Sequence, residues 1–94
     1  MTDFDQVLIA AREQPGTRSA RLDFIENCAD LREVDDVLVS VKDHGASVHH
    51  LIYTHVSGRH LCLPYYLSPD GVYCTDEPYE VKPHKVEIIE WRRL

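Results

Sequence analysis

The segment 30–56 constrains the fold of this chain most, because its apolar residues fit two different secondary structures. Read as a helix, residues 30–44 place one apolar stripe at helical spacing before Gly45, and its members are Leu31, Val34, Leu38 and Val41. Read as a strand, the run from Val37 to Val41 alternates and is rich in β-branched residues, which favour extended backbone. We therefore predict a β-hairpin that turns at residues 43–46.

The segment 47–57 carries the same ambiguity. As a strand, it alternates apolar and polar positions on both faces. As a helix, it would follow a turn at Gly45 and complete a helix-turn-helix. The main alternative is therefore a DNA-binding helix-turn-helix regulator with its recognition helix at 47–57. The acids before this segment, which oppose phosphate contacts, make that alternative the weaker one.

Two helices are predicted before residue 30. The first has one apolar stripe of period 3.6, formed by Phe4, Val7, Leu8 and Ala11, and it ends at Pro15-Gly16. The second begins at Thr17 or Ser19 and carries Leu22, Ile25 and Ala29 on its apolar side.

Extended segments are predicted after Gly58. Residues 59–67 are predicted to be extended, and Pro64, which cannot donate to a ladder, makes this segment an edge strand or marks the end of the strand. Ser68–Gly71 is predicted to be a turn. A returning strand covers 72–75, and a last strand covers 85–91. The predicted fold class is α+β, with two N-terminal helices packed on a small antiparallel β-sheet, in a single small globular domain spanning 1–94.

Charge and composition narrow the function. The net charge is −6, and most of it falls on the first half of the chain, so direct nucleic-acid binding is disfavoured. No apolar run reaches the roughly 18 residues of a membrane span. Three cysteines without a CxxC pair are typical of a reducing compartment, so a cytoplasmic location is predicted. Hydrolase, metalloprotease and phosphate-loop motifs are absent from the sequence, which favours a protein that is not an enzyme.

A small zinc-binding domain is the second alternative. Its ligands would be His60, Cys62, Cys74 and His84. Zinc is commonly bound by four ligands, such as two thiolates and two imidazoles. The spacing of these four residues in the sequence, however, lacks the closely spaced ligand pairs of structural zinc sites. Residues two apart on a strand lie about 7 Å apart, which is wide for neighbouring ligands. No metal site and no cofactor is therefore predicted.

The sequence favours a small non-enzymatic protein-binding module, a regulator or inhibitor that occupies a partner's surface. An acidic helical face and exposed aromatics would make the contact, and the candidate residues are Asp23, Glu26, Asp30, Glu33, Asp35, Asp36, Tyr53, Tyr65 and Tyr66. The expected partner is a protein with a basic surface, such as a nucleic-acid-handling protein. A homodimer formed by edge-strand pairing is a further expectation, and phages and other mobile elements commonly encode proteins of this class.

Overall fold

The computed structural model describes residues 3–15, 19–74, 76–83 and 91–93. Two helices come first and strands follow. The elements are α1 (Phe4–Glu13), α2 (Ala20–Glu26), β1 (Leu31–Val41), β2 (Ser47–His55), β3 (His60–Ser68), β4 (Gly71–Tyr73) and β5 (Tyr79–Val81). The first helix matches its prediction, whereas α2 ends at Glu26 and does not reach Ala29. Most of the predicted strand 85–91 lies outside the described residues.

The ambiguous central segment forms a hairpin. Strands β1 and β2 pair antiparallel, and the amide of Lys42 donates to the carbonyl of Ala46 at 2.8 Å to close the turn. His44 and Gly45 have φ angles of 64° and 78°, the left-handed region that glycine adopts readily. The predicted hairpin is confirmed. A strand occupies Ser47–His55, where the helix-turn-helix alternative needs a recognition helix.

The sheet has the strand order β1-β2-β3-β4, and β5 pairs with the first residues of β3 on the side that β4 also uses. Strand β3 is therefore central, and Pro64 lies in its middle. Both predicted alternatives for Pro64, an edge strand and the end of a strand, are wrong. Pro64 is tolerated there because β4 pairs with residues 66–68 and β5 with residues 60–62. The proline lies between these two ladders, where no donor is needed on that side.

The predicted fold class, two helices on a small sheet, needs correction in its proportions. The described residues form a five-stranded antiparallel sheet whose first strand alone has 11 residues, while the helices have 10 and 7. The sheet, not the helical pair, is the main element of the fold. The reasons are that α2 ends at Glu26, before the predicted Ala29, and that β5, which was not predicted, joins the sheet beside β3.

The core lies between the helices and one face of the sheet. Alternation along the strands directs Leu51 and Tyr53 of β2, and Leu61 and Leu63 of β3, toward the helices. The helices contribute Phe4, Leu8, Ala11 and Ile25, and Cys74 completes the buried cluster. No helix within the described ranges is long and apolar enough to cross a membrane.

Charged side chains fasten the segment after β4 to the helices. The Arg21 guanidinium, itself buried, donates to the carbonyl of Cys74 at 3.0 Å, and Arg12 donates to the carbonyl of Pro78 at 2.9 Å. Arg59 donates to Asp5 and Glu80 at 3.0 and 2.8 Å. These contacts hold β5 beside β3 and fix the helices over the core.

Candidate functional site

Strand β1 is the most exposed regular element among the residues that the structure describes. Among the described residues β1 pairs only with β2, so its other edge offers backbone donors and acceptors to solvent. Five large hydrophobic side chains of this strand are 42% to 71% exposed, and they are Val34, Val37, Leu38, Val39 and Val41. An edge of this length with so much exposed apolar surface is typical of a strand that pairs with another chain.

Carboxylates flank this edge on both faces of the sheet. Glu33 is opposite Tyr53, whose side chain faces the helices, and Asp35 is opposite Ile52 on the other face. A register shift at Val34 separates the two acids. Neither forms an ion pair with another described residue. A chain lying along the first half of β1 would therefore meet carboxylates above and below its backbone, with Arg32 as the one cation of the strand.

Asp36 has a different role, because it is bonded within the sheet. Its Oδ1 lies 3.0 Å from Nδ1 of His49, and its Oδ2 accepts a hydrogen bond from the Tyr65 hydroxyl at 3.1 Å. The other ring nitrogen of His49 lies 2.8 Å from the hydroxyl of Ser47, and the His49 ring stacks on Tyr65 with centroids 4.8 Å apart. Burial first, and then the bond to Asp36, raise the pKa of Tyr65 to about 12. This cluster joins β1, β2 and β3.

The predicted acidic surface is divided between two places. Asp23 and Glu26 are exposed on α2, and the Asp23 carboxylate accepts a hydrogen bond from Ser19 at 3.2 Å. Asp30 lies between α2 and β1. The remaining acids, Glu33, Asp35 and Asp36, lie on a strand instead of a helix. The acids therefore form no single helical face, and three of them share the edge strand with the exposed valines.

The three predicted tyrosines have different surroundings. Tyr53 is only 4% exposed and belongs to the core, so it cannot contact a partner in the folded protein. Burial also raises its pKa. Tyr65 is half-buried and bonded to Asp36. Tyr66 is exposed on the sheet face opposite the helices and is the accessible member of the three.

The structure does not bring the proposed zinc ligands together. His84 lies outside the described residues. His60 and Cys62 share the sheet face away from the helices, whereas Cys74 is buried in the helix-side core. Within the described ranges no group of three or more His, Cys, Asp or Glu side chains could hold a metal ion.

Sequence reasoning missed the apolar residues of β1 as functional candidates. The signal was present, because a chain whose first strand follows two helices and pairs with the next strand leaves that first strand at the edge of a meander. For residues 31–41, this argument would have identified the valines, together with the acids, as candidate binding residues. The bonds of His49 had no signal in the sequence, because they depend on strand register.

Comparison with protein-family models, with curated proteins and with solved structures finds no match for this chain.

Proposed function

We propose that this protein is a small, non-enzymatic protein-binding module, a regulator or inhibitor that docks an extended segment of a partner protein along strand β1. The observation that carries the proposal is the outer edge of β1, where carboxylates occupy the first half of the strand and most of the exposed apolar side chains occupy the second half. In strand addition, main-chain hydrogen bonds supply affinity and alternate side chains supply specificity. Both are available along β1, whose ladder with β2 is irregular at Val34 and at Val39.

The charge of the edge defines the partner's chemistry. Glu33 and Asp35 favour a segment in which lysine or arginine alternates with apolar residues. A second copy of this chain is disfavoured, because it would add the Glu33, Asp35 and Asp36 carboxylates of another β1 edge to an interface that already holds the same three acids. Like charges at strand edges oppose pairing of identical chains.

The apolar part of the edge supplies the binding energy. Covering a half-exposed valine removes part of its surface from water and is worth about 1 kcal/mol, since full burial of such a side chain is worth about 1.5–3 kcal/mol. Several valines together can offset the ordering of a flexible segment, whereas a single contact cannot. A reducing cytoplasm is the proposed location, supported by three cysteines that are free thiols.

Two peptides of equal length test the proposal. One alternates lysine with valine, the other alternates glutamate with valine, and both have blocked ends. We expect the lysine peptide to bind far more tightly in a fluorescence anisotropy titration, with affinity that falls as salt rises. Equal binding of the two peptides would contradict the proposal, and so would binding of neither.

A charge-reversal variant identifies the binding surface. Glu33→Lys with Asp35→Lys should reverse the preference between the peptides, and Asp36 is left intact because it bonds Tyr65 and His49. The matched control is Glu13→Lys with Asp70→Lys, which changes the same number of charges at exposed positions on α1 and in the β3–β4 turn. The control should bind the lysine peptide more tightly than the β1 variant does. Equal loss of binding in both variants would indicate that only the net charge of the protein matters, and it would contradict the proposal.

A further inference from the structure

A cleft with tyrosine walls lies on the sheet face opposite the helices. Its volume is about 190 Å³, and it is lined by Val48, Pro64, Tyr65, Tyr66, Tyr73 and Asp76. Tyr66 and Tyr73 are directly opposite each other in the pairing of β3 with β4. Their ring centroids are 6.5 Å apart, with an angle of 51° between the ring planes, so the rings do not stack closely on each other.

The lining combines aromatic rings with a carboxylate. An aromatic face carries partial negative charge and attracts cations, most strongly where the cation has been removed from water. Asp76 is exposed and adds a full negative charge to the same cleft. Val48 and Pro64 supply apolar surface that suits the methyl or methylene groups next to a charged nitrogen. This set of side chains matches an alkylammonium group and offers no basic residue to an anion.

We propose that this cleft binds the alkylammonium group of a lysine side chain, with a methylated lysine bound most tightly. That the lysine belongs to a protein partner rests on the proposed function. Pairing register places Ser40, Val48, Tyr66 and Tyr73 in one row across four strands. Since neighbouring strands lie about 4.8 Å apart, Tyr66 is roughly 10 Å from β1. A second segment of a partner docked on β1 can therefore reach the cleft.

The test uses small probes that do not depend on β1. The isotope-labelled full chain is titrated with choline, with 3,3-dimethylbutan-1-ol as the neutral compound of the same shape, and with blocked lysine and blocked trimethyllysine. Amide shifts are followed by NMR at constant ionic strength. We expect choline and trimethyllysine to shift the signals of Tyr66, Tyr73 and Asp76, and the neutral alcohol to bind on the order of tenfold more weakly.

Matched variants distinguish the effects of the Asp76 charge and the Tyr66 ring on binding from an effect on folding. Asp76→Asn should weaken choline binding several-fold, whereas Asp70→Asn, the same change in the nearby turn, should not. Tyr66→Leu should abolish binding and Tyr66→Phe should retain it, because the ring and not the hydroxyl attracts the cation. If the tyrosine pair only stabilises the packing of β3 and β4, charge should not matter, and choline and the neutral alcohol should give the same result. Equal binding of these two compounds would overturn the inference.

The outcomes also distinguish this inference from the proposed function. Glu33→Lys with Asp35→Lys should leave choline binding unchanged. If the lysine–valine peptide binds β1 but choline does not bind the cleft, the inference fails and the proposed function stands. If choline binds the cleft and the lysine–valine peptide does not bind β1, the inference of an ammonium site is supported. The proposed docking role of β1 is then contradicted.

Discussion

The Tyr65 hydroxyl donates a hydrogen bond to Asp36 at 3.1 Å, which joins β3 to β1 across the intervening strand β2. His49 of β2 stacks on Tyr65 and bonds the same carboxylate. The exposed edge strand is thus held against the sheet by side chains as well as by its backbone ladder.

Tyr65→Phe should lower the free energy of unfolding by about 1 kcal/mol, the usual net value of one hydrogen bond. The effect stays modest because the Asp36 side chain is 45% exposed and water replaces part of the lost bond. Urea denaturation of the variant and the parent measures the difference. A loss of several kcal/mol would mean that the bond has a larger role than this geometry indicates.

Stability should fall at alkaline pH. Burial and Asp36 raise the pKa of Tyr65 to about 12, above the value of about 10 for an unfolded tyrosine. The folded state therefore favours the neutral phenol, and this contribution is complete below pH 10 and is lost as the pH rises toward 12. We expect urea midpoints to decrease across that interval, and to decrease less in Tyr65→Phe. Identical pH profiles for the two proteins would contradict the assignment.

The three thiols should react at different rates. Cys28 is half-exposed, whereas Cys62 and Cys74 are buried, and burial raises the pKa of both buried thiols. Since the thiolate is the reactive form, a disulfide reagent should modify one thiol quickly and the others only on unfolding. Cys28→Ala should remove the fast phase. A fast-reacting thiol that remains in Cys28→Ala would contradict the burial of Cys62 or Cys74.

Core and edge substitutions should differ sharply in cost. Leu63→Ala removes a fully buried side chain and should destabilise the fold by about 2–5 kcal/mol. Val39→Ala removes a half-exposed side chain from the edge strand and should change stability by only about 0.5 kcal/mol. Urea denaturation of both variants checks the contrast. Equal costs would show that Val39 is covered in the folded protein.

Local patterns predicted the individual elements well. The apolar stripe from Phe4 to Ala11 and the stop at Pro15 defined α1, and β-branched valines decided in favour of the hairpin at 43–46. The balance between helices and sheet was not fully predicted, because α2 ends before Ala29 and the short strand β5 depends on its pairing with β3. Pro64 was misleading because its tolerance depends on the gap between two ladders, which no local pattern shows.

The candidate site was only partly predictable. Its acids Glu33 and Asp35 were named from the sequence, but on a helix instead of a strand. Tyr53 was named as an anchor although alternation on β2 directs it into the core. Asp76 was not named, and the position of Tyr73 beside Tyr66 follows from the pairing of β3 with β4. Register, which the sequence determines only through long-range packing, decides which side chains line the cleft.

Hydrogen exchange of the β1 amides in the presence of the lysine–valine peptide tests the docking claim most directly. Strand addition predicts that amides directed to the open edge between Glu33 and Val41 exchange markedly more slowly when the peptide is bound. The inner amides of β2 and β3, already bonded in the sheet, should change little. Unchanged exchange along β1 with the peptide saturating the protein would contradict the account, because binding would then use another surface.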